Sequence, residues 1–196
     1  MRPNCAICLR PKITCICHLI TKVDTGIEVL ILQHSLEVTE TKGTARLLHL
    51  CLPNSQLLMG EVFDEAQLVS SKQSILLYPV TPEDYSLGIA RPPVLDFNSI
   101  KDLGNIRLII IDGTWRKSRK ILCKNPYFQS LPRLVLNDLP AGKYTIRKAR
   151  KPHQLSTMEA TCTALSQIEL NTQKFDPMMQ AFNEFNAFIS QQINRT

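Results

Sequence analysis

The run RLIII at residues 107–111 constrains this chain more than any other feature. Its last four positions are apolar, and three of them are isoleucine. A strand with one wet face alternates apolar and polar residues. A strand that is apolar almost throughout has both faces covered, as in a parallel sheet flanked by helices. EVLIL at 28–32, SILLY at 74–78 and RLVL at 133–136 are further short apolar strands. Helical segments fall between and after them. Residues 44–52 form one, stopped by Pro53, and residues 115–123 form another. A helix begins at Ser156, with Met158, Cys162, Leu165 and Ile168 or Glu169 at helical spacing. The last carries Met178, Phe182, Phe185, Ile189 and Ile193 as an apolar stripe. Phe182, Phe185 and Phe188 read as core rather than as a platform for bases. Residues 81–98, with Pro82, Pro92 and Pro93, read as a loop. Strands separated by helices predict an α/β domain with a mostly parallel sheet and helices on both faces.

The proportions, 44% hydrophobic and 20% charged, exclude wholesale disorder and low-complexity classes. At 196 residues the chain has room for one ordinary domain with a small appendage. Its longest apolar runs, 75–78 and 108–111, are too short to cross a bilayer, and no apolar secretory segment opens the chain. A soluble cytoplasmic protein is the expectation. The net charge of +6 is unevenly spread. Residues 101–151 hold 13 Lys and Arg against 3 Asp and Glu, whereas the remainder holds 10 against 14. Such segregation favours a face that binds a polyanion, nucleic acid above all, over a merely solvated basic surface.

Four of the seven cysteines lie in the first 17 residues, in the pattern Cys5-x2-Cys8-x6-Cys15-x-Cys17. Four thiolates so close together can surround one tetrahedral cation, and their softness favours zinc. A filled four-sulfur site is structural and folds a segment too small for its own core. Iron–sulfur ligation is an alternative, and His18 could displace one thiol. Residues 1–20 therefore read as a cysteine-rich knuckle appended, without a linker, to a main domain of residues 21–196. Cys51, Cys123 and Cys162 sit in apolar or helical surroundings and read as core thiols.

The strongest candidate for chemistry is Asp112-Gly113-Thr114-Trp115, directly after RLIII. Ligands of parallel sheets bind outside the carboxyl ends of the strands, where Asp112 stands. Gly113 permits a close approach by a ligand or another backbone, and Thr114 can cap the next helix. That helix opens with Arg116, Lys117, Arg119 and Lys120, cations that oppose its dipole. Asp112 as a turn residue and Trp115 as a core aromatic explain the same residues without chemistry. Ser156-Thr157-Met158-Glu159 reads as a capping box, and a helix start of this kind can also hold an anionic group. Before it, Tyr144 and the basic run Arg147, Lys148, Arg150, Lys151 and His153 offer a ring and cations to RNA. Gln33 and His34 follow the first strand, with Glu37 nearby. There they are either structural or lining for a site.

In order along the chain, these segments resemble the DTW-domain family of tRNA-uridine aminocarboxypropyltransferases. The matching blocks are the CxxC…CxC pattern with Pro11 between its pairs, ILQHSLE (31–37), GTARLLHLCLPN (43–54), IIIDGTWRKSRK (109–120) and YTIRKARKPHQLSTMEA (144–160). Ser35 stands where the family pattern has proline. The resemblance implies a fold related to the SPOUT RNA methyltransferases, α/β and knotted in its C-terminal part. Relatives of that class are often dimers, which leaves a homodimer open. It implies S-adenosylmethionine as co-substrate, transfer of its 3-amino-3-carboxypropyl group to N3 of a uridine in tRNA, and 5′-methylthioadenosine as by-product. On this reading Asp112, with Thr114 and Trp115, serves the reaction, and Asp112 takes the N3 proton or orients the base. Gln33, His34, Gly113, Ser156, Thr157 and Glu159 bind the donor. Arg116, Lys117, Arg119, Lys120, Arg147, Arg150 and Lys151 hold the RNA, and Cys5, Cys8, Cys15 and Cys17 hold zinc. Two other functions remain in view, a SPOUT-type RNA methyltransferase and a non-catalytic zinc-containing RNA-binding module. The latter leaves unexplained a carboxylate in the middle of the basic segment.

Overall fold

The structure, a computed structural model, describes residues 3–89, 91–97, 100–136 and 155–193. Five strands form one sheet, β1 (Glu28–Gln33), β2 (Ser55–Met59), β3 (Gln73–Leu77), β4 (Ile106–Asp112) and β5 (Arg133–Leu134). Their spatial order is β2-β1-β4-β3-β5, and every neighbouring pair is parallel. The RLIII strand thus occupies the middle. Its burial explains its composition. Leu108 and Ile110 join one hydrophobic core, and Ile109 joins the other. In β1, Val29 and Ile31 alternate in the same way with Leu30 and Leu32. A polar residue at any of these positions would lose the roughly 1.5–3 kcal/mol that burying such a side chain contributes.

The first core is covered by α1 (Ala45–Cys51), α6 (Thr157–Ile168) and α7 (Asp176–Ile193). The second is covered by α2 (Glu65–Leu68), α4 (Trp115–Lys124) and α5 (Pro126–Gln129), through Leu68, Ile121, Leu122 and Phe128. Phe182 and Phe185 of α7 are buried and Phe188 packs against the same core, so the phenylalanine stripe is core. Among the described residues no helix is long and apolar enough to cross a membrane.

Several sequence expectations change. SQLLM forms the edge strand β2, which the pattern did not mark. An edge strand pairs on one side only, and its residues are at most half-buried here, so no continuous apolar run is required. The expected loop at 81–98 contains a one-turn helix, α3 (Glu83–Ser86), and the expected strand at 133–136 shortens to the two residues of β5. Cys51 and Cys162 are buried thiols, but Cys123 is exposed, because it lies on the outer side of α4. The connection from β5 to α6, residues 137–154, lies outside the described residues. The expected knot, and the expected RNA contacts Arg147, Arg150 and Lys151 with Tyr144, Lys148 and His153, depend on that segment.

The cysteine-rich start is docked onto the main domain. Cys8, Ile16 and Leu19 belong to the first core. Arg10 donates to the carbonyl oxygens of Thr41 and Gly43 at 2.9 and 3.1 Å, and its guanidinium lies 5.2 Å from the centre of the Phe185 ring. His18 packs edge-on against Phe188.

Candidate active site

Parallel register brings the site together. Gln33, the last residue of β1, lies opposite Asp112, the last residue of β4. The His34 N–H donates to the Asp112 carbonyl at 3.0 Å, which extends the pairing one step past the strand. Gln33 Nε2 donates to Asp112 Oδ2 at 3.0 Å. On the other carboxylate oxygen, Thr157 Oγ1 donates to Asp112 Oδ1 at 2.5 Å. Asp112 is 6% exposed and so is held from two sides by neutral donors. Burial pushes its carboxyl up from the usual aspartate value, and the hydrogen bonds from Thr157 and Gln33 take back part of the rise.

Thr157 reaches Asp112 because the start of α6 is tightly specified. Ser156 Oγ accepts from the Glu159 N–H at 3.2 Å, and Glu159 Oε2 accepts from the Ser156 N–H at 2.8 Å. This is the expected capping box, and both partners are buried. Glu159 is thereby engaged in the helix start, although the resemblance also gives it a part in binding the donor. Thr44 Oγ1 accepts from the Met158 N–H at 3.3 Å and ties the same turn to α1.

The start of α4 contrasts with this. Thr114 occupies the N-cap position, but its side chain makes no capping hydrogen bond, against expectation. Gly113 lies in tight packing. A Cβ there would meet Lys117 Cβ at 3.2 Å and His34 Cβ at 3.6 Å. Trp115 is 46% exposed, which rules out a core role, and its ring packs edge-on against Tyr78.

Between these helix starts a cavity of about 570 Å³ opens at the carboxyl ends of β3, β4 and β5. Its floor and walls are Leu77, Ile110, Leu134 and Leu155, with Tyr78 and Trp115 as rings and Gly113, Ser118, Ser156 and Thr157 as polar neighbours. This size and mostly apolar lining suit a small organic ligand with a few fixed polar groups. Gly113, Trp115, Ser156 and Thr157 therefore line one space, while Asp112 and Thr114 are not among its lining residues. Gln33, His34 and Glu159 do not line it, and each makes a polar contact within the protein. His34 Nδ1 accepts from the Leu36 N–H at 3.1 Å, so the neutral ring carries its proton on Nε2, which faces Glu61 at 3.0 Å.

The basic helix is less exposed electrostatically than its sequence suggests. Lys117 pairs with Glu37 at 2.7 Å, and Lys120 and Lys124 both pair with Glu61. Those two lysines hold the Glu61 carboxyl down at about 2. Neither glutamate lies in the basic segment of the sequence, so only the fold reveals the compensation. Arg116 is exposed and Arg119 half-buried on the same helix.

The four N-terminal sulfurs all lie within 4.8 Å of one another. The Cys5–Cys17 and Cys8–Cys15 Sγ separations are 3.5 and 3.7 Å. Tetrahedral zinc with sulfur at about 2.3 Å needs sulfurs roughly 3.8 Å apart, so the four fit that ion. Backbone N–H groups of Cys8 and Ile7 pull the Cys5 thiol down to about 6, whereas burial and the neighbouring sulfurs push Cys17 up to about 12, so metal binding would have to displace the remaining protons. His18 is turned to Phe188, which leaves the site to the four cysteines.

Curated proteins similar to this chain include tRNA-uridine aminocarboxypropyltransferase 2 of Macaca fascicularis, 28% identical over 180 residues, which are 87% of this chain and 58% of that protein. The protein of the same name from Mus musculus matches to the same extent. That from Drosophila melanogaster is 27% identical over 179 residues, covering 86% of this chain and 67% of the relative. The chain thus spans 58% of the length of the two mammalian relatives. No solved structure matches it significantly. The DTW domain matches residues 2–190, from the cysteine cluster through the Asp112 turn to α7, and this chain belongs to the DTW domain family.

Proposed function

We propose that this chain transfers the 3-amino-3-carboxypropyl group of S-adenosylmethionine to N3 of a uridine in tRNA, with release of 5′-methylthioadenosine. The observation that carries the reading is a buried carboxylate with a raised pKa at the end of the central strand, beside a ligand-sized cavity, in a chain of this family. The names of the relatives supply the transferred group and the acceptor. A SPOUT-like architecture belongs to the same reading, and the all-parallel sheet with α6 against β4 supports it.

When bound, the donor supplies an electrophilic carbon on a sulfonium. The chain's own residues do the rest. The lining residues Leu77, Ile110 and Leu134 exclude water, and the Ser156 hydroxyl, the Thr157 backbone N–H and the helix dipole at the start of α6 serve the donor's carboxylate. Trp115 offers an exposed ring at the rim to the uracil or to the donor. Uridine N3 is a poor nucleophile until its proton leaves, and Asp112 is the carboxylate at hand to receive it. Arg116, Lys117, Arg119 and Lys120 are the phosphate contacts among the described residues, and Lys117 and Lys120 leave their glutamates to serve as such. Arg147, Arg150 and Lys151 complete the proposed RNA face. Zinc on Cys5, Cys8, Cys15 and Cys17 supplies structure only.

Purified protein incubated with S-adenosylmethionine and unmodified tRNA is the test, with the small-molecule product identified by mass spectrometry. Methylthioadenosine with an aminocarboxypropyl mass gain on uridine is expected. S-adenosylhomocysteine would make the chain a methyltransferase instead. Salt-sensitive tRNA binding without either product would make it a binding module. An R116A variant should bind every tRNA more weakly and lower the slope of log affinity against log salt by about 1, as measured by filter binding.

A further inference from the structure

We infer that Thr157 is the group that takes the proton from the acceptor base, passing its own hydroxyl proton to Asp112. This deepens the proposed function and rests on it. Asp112 does not line the cavity, and both its oxygens are engaged, Oδ2 by Gln33 and Oδ1 by Thr157. Each oxygen keeps a lone pair to spare, so what separates the carboxylate from a base in the cavity is its position outside the lining, not its hydrogen bonds. Thr157 lies between the two. Thr157 is one of the residues that line the cavity, and its hydroxyl hydrogen is directed to Asp112 at 2.5 Å. A hydroxyl that donates to a carboxylate keeps its lone pairs for a second partner. Here that partner is an N–H acid in the cavity.

The step balances. The N3–H bond breaks as a new O–H bond forms at Thr157 Oγ1, and the original Thr157 proton moves to Asp112 Oδ1. The electron pair left on N3 makes the new N–C bond, and the C–S pair stays on sulfur. Asp112 ends protonated and neutral, a state its buried position tolerates. The remaining contacts fix Thr157 in place. The capping box of Ser156 and Glu159 sets the helix start, and Thr44 holds the next N–H. These are positioning residues.

Four forms of the full chain test the relay, namely T157V, T157S, D112N and the double variant D112N/T157V. Methylthioadenosine formation is followed alongside donor binding and circular dichroism. T157V should lose roughly 100-fold or more in turnover while binding the donor within threefold of the wild type, and T157S should restore most of the rate. If the two residues act as one unit, the double variant should be no slower than D112N alone. The double variant buries no unpaired charge, so the comparison survives even if T157V fails to fold. A T157V enzyme within threefold of wild-type turnover, or a double variant slower than D112N by the full T157V factor, overturns the relay. A wild type that forms no methylthioadenosine overturns the functional reading itself, and the relay with it.

Discussion

The pairing of β1 with β4 buries a charged side chain at each end, and the two ends treat it differently. At the amino end Glu28 lies opposite Arg107, and at the carboxyl end Gln33 lies opposite Asp112. Arg107 and Asp112 are 7% and 6% exposed. The lower charge is cancelled. Arg107 contacts Glu28 and donates to the Leu68 carbonyl at 3.0 Å, and Lys72 adds a second cation 3.4 Å from Glu28. Its contact with Glu28 is close in distance but lacks hydrogen-bond geometry at Glu28 Oε1. Among the described residues the upper charge meets the neutral donors Gln33 and Thr157, while the nearby cation Lys117 is committed to Glu37. A buried carboxylate without a paired cation costs stability. The lower end joins strands, whereas the upper end holds a group ready to accept a proton.

Asp112→Asn should separate these roles most sharply. Turnover should fall about 10²–10⁴-fold in the methylthioadenosine assay, while urea unfolding near neutral pH shows equal or greater stability. A variant that stays active, or that unfolds, would make the upper end structural like the lower. Arg107→Ala should do the reverse. Leaving the half-buried Glu28 with Lys72 alone should cost less than the roughly 3–5 kcal/mol of a fully buried broken pair in urea unfolding, and turnover per folded molecule should not change. Replacing both partners, as E28M/R107M, should recover most of that loss, because a well-packed apolar pair commonly matches a buried ion pair. Failure to recover would mean that the charges do more than hold the strands.

The smallest expected effect is on pH dependence. Asp112 has a raised pKa in the folded state, so its contribution favours the fold below its unfolded value and is lost as pH rises through the folded value. The stability advantage of Asp112→Asn at neutrality should therefore shrink as the solution is acidified, in parallel denaturation series. The acid limb of kcat/KM should lie above the ordinary aspartate range. Glu37 and Lys117, the charged groups acting on Asp112 from the turn after β1 and from α4, pull it in opposite directions and leave burial as the main cause.

Much of the fold was legible because burial on both faces leaves a direct mark on composition. The strands at 28–33 and 106–112, the helix start at Ser156 and the stripe of α7 all follow from local pattern. β2 was not legible, since an edge strand with half its residues wet needs no such pattern. The site divided in the same way. Asp112, Gly113, Trp115, Ser156 and Thr157 could be singled out from strand-end position and capping chemistry. The roles of Gln33 and His34 could not, since each depends on a partner distant in sequence, Asp112 for one and Glu61 for the other. Glu61 itself carried no signal, being one acidic residue after an unmarked strand.

By itself the sequence determined that this chain is a parallel α/β domain with a four-cysteine cluster, a carboxylate at the end of its most buried strand and a capped helix after its basic segment. These are properties of neighbouring residues, where spacing sets which face is dry and which atom can cap. Only the tertiary structure decided that the carboxylate is withdrawn from the cavity behind Thr157, and that two glutamates neutralise much of the basic helix. Hydrogen bonds and ion pairs act over about 3 Å, and residues that meet at that range lie as far as 144 positions apart, as Thr25 and Glu169 do.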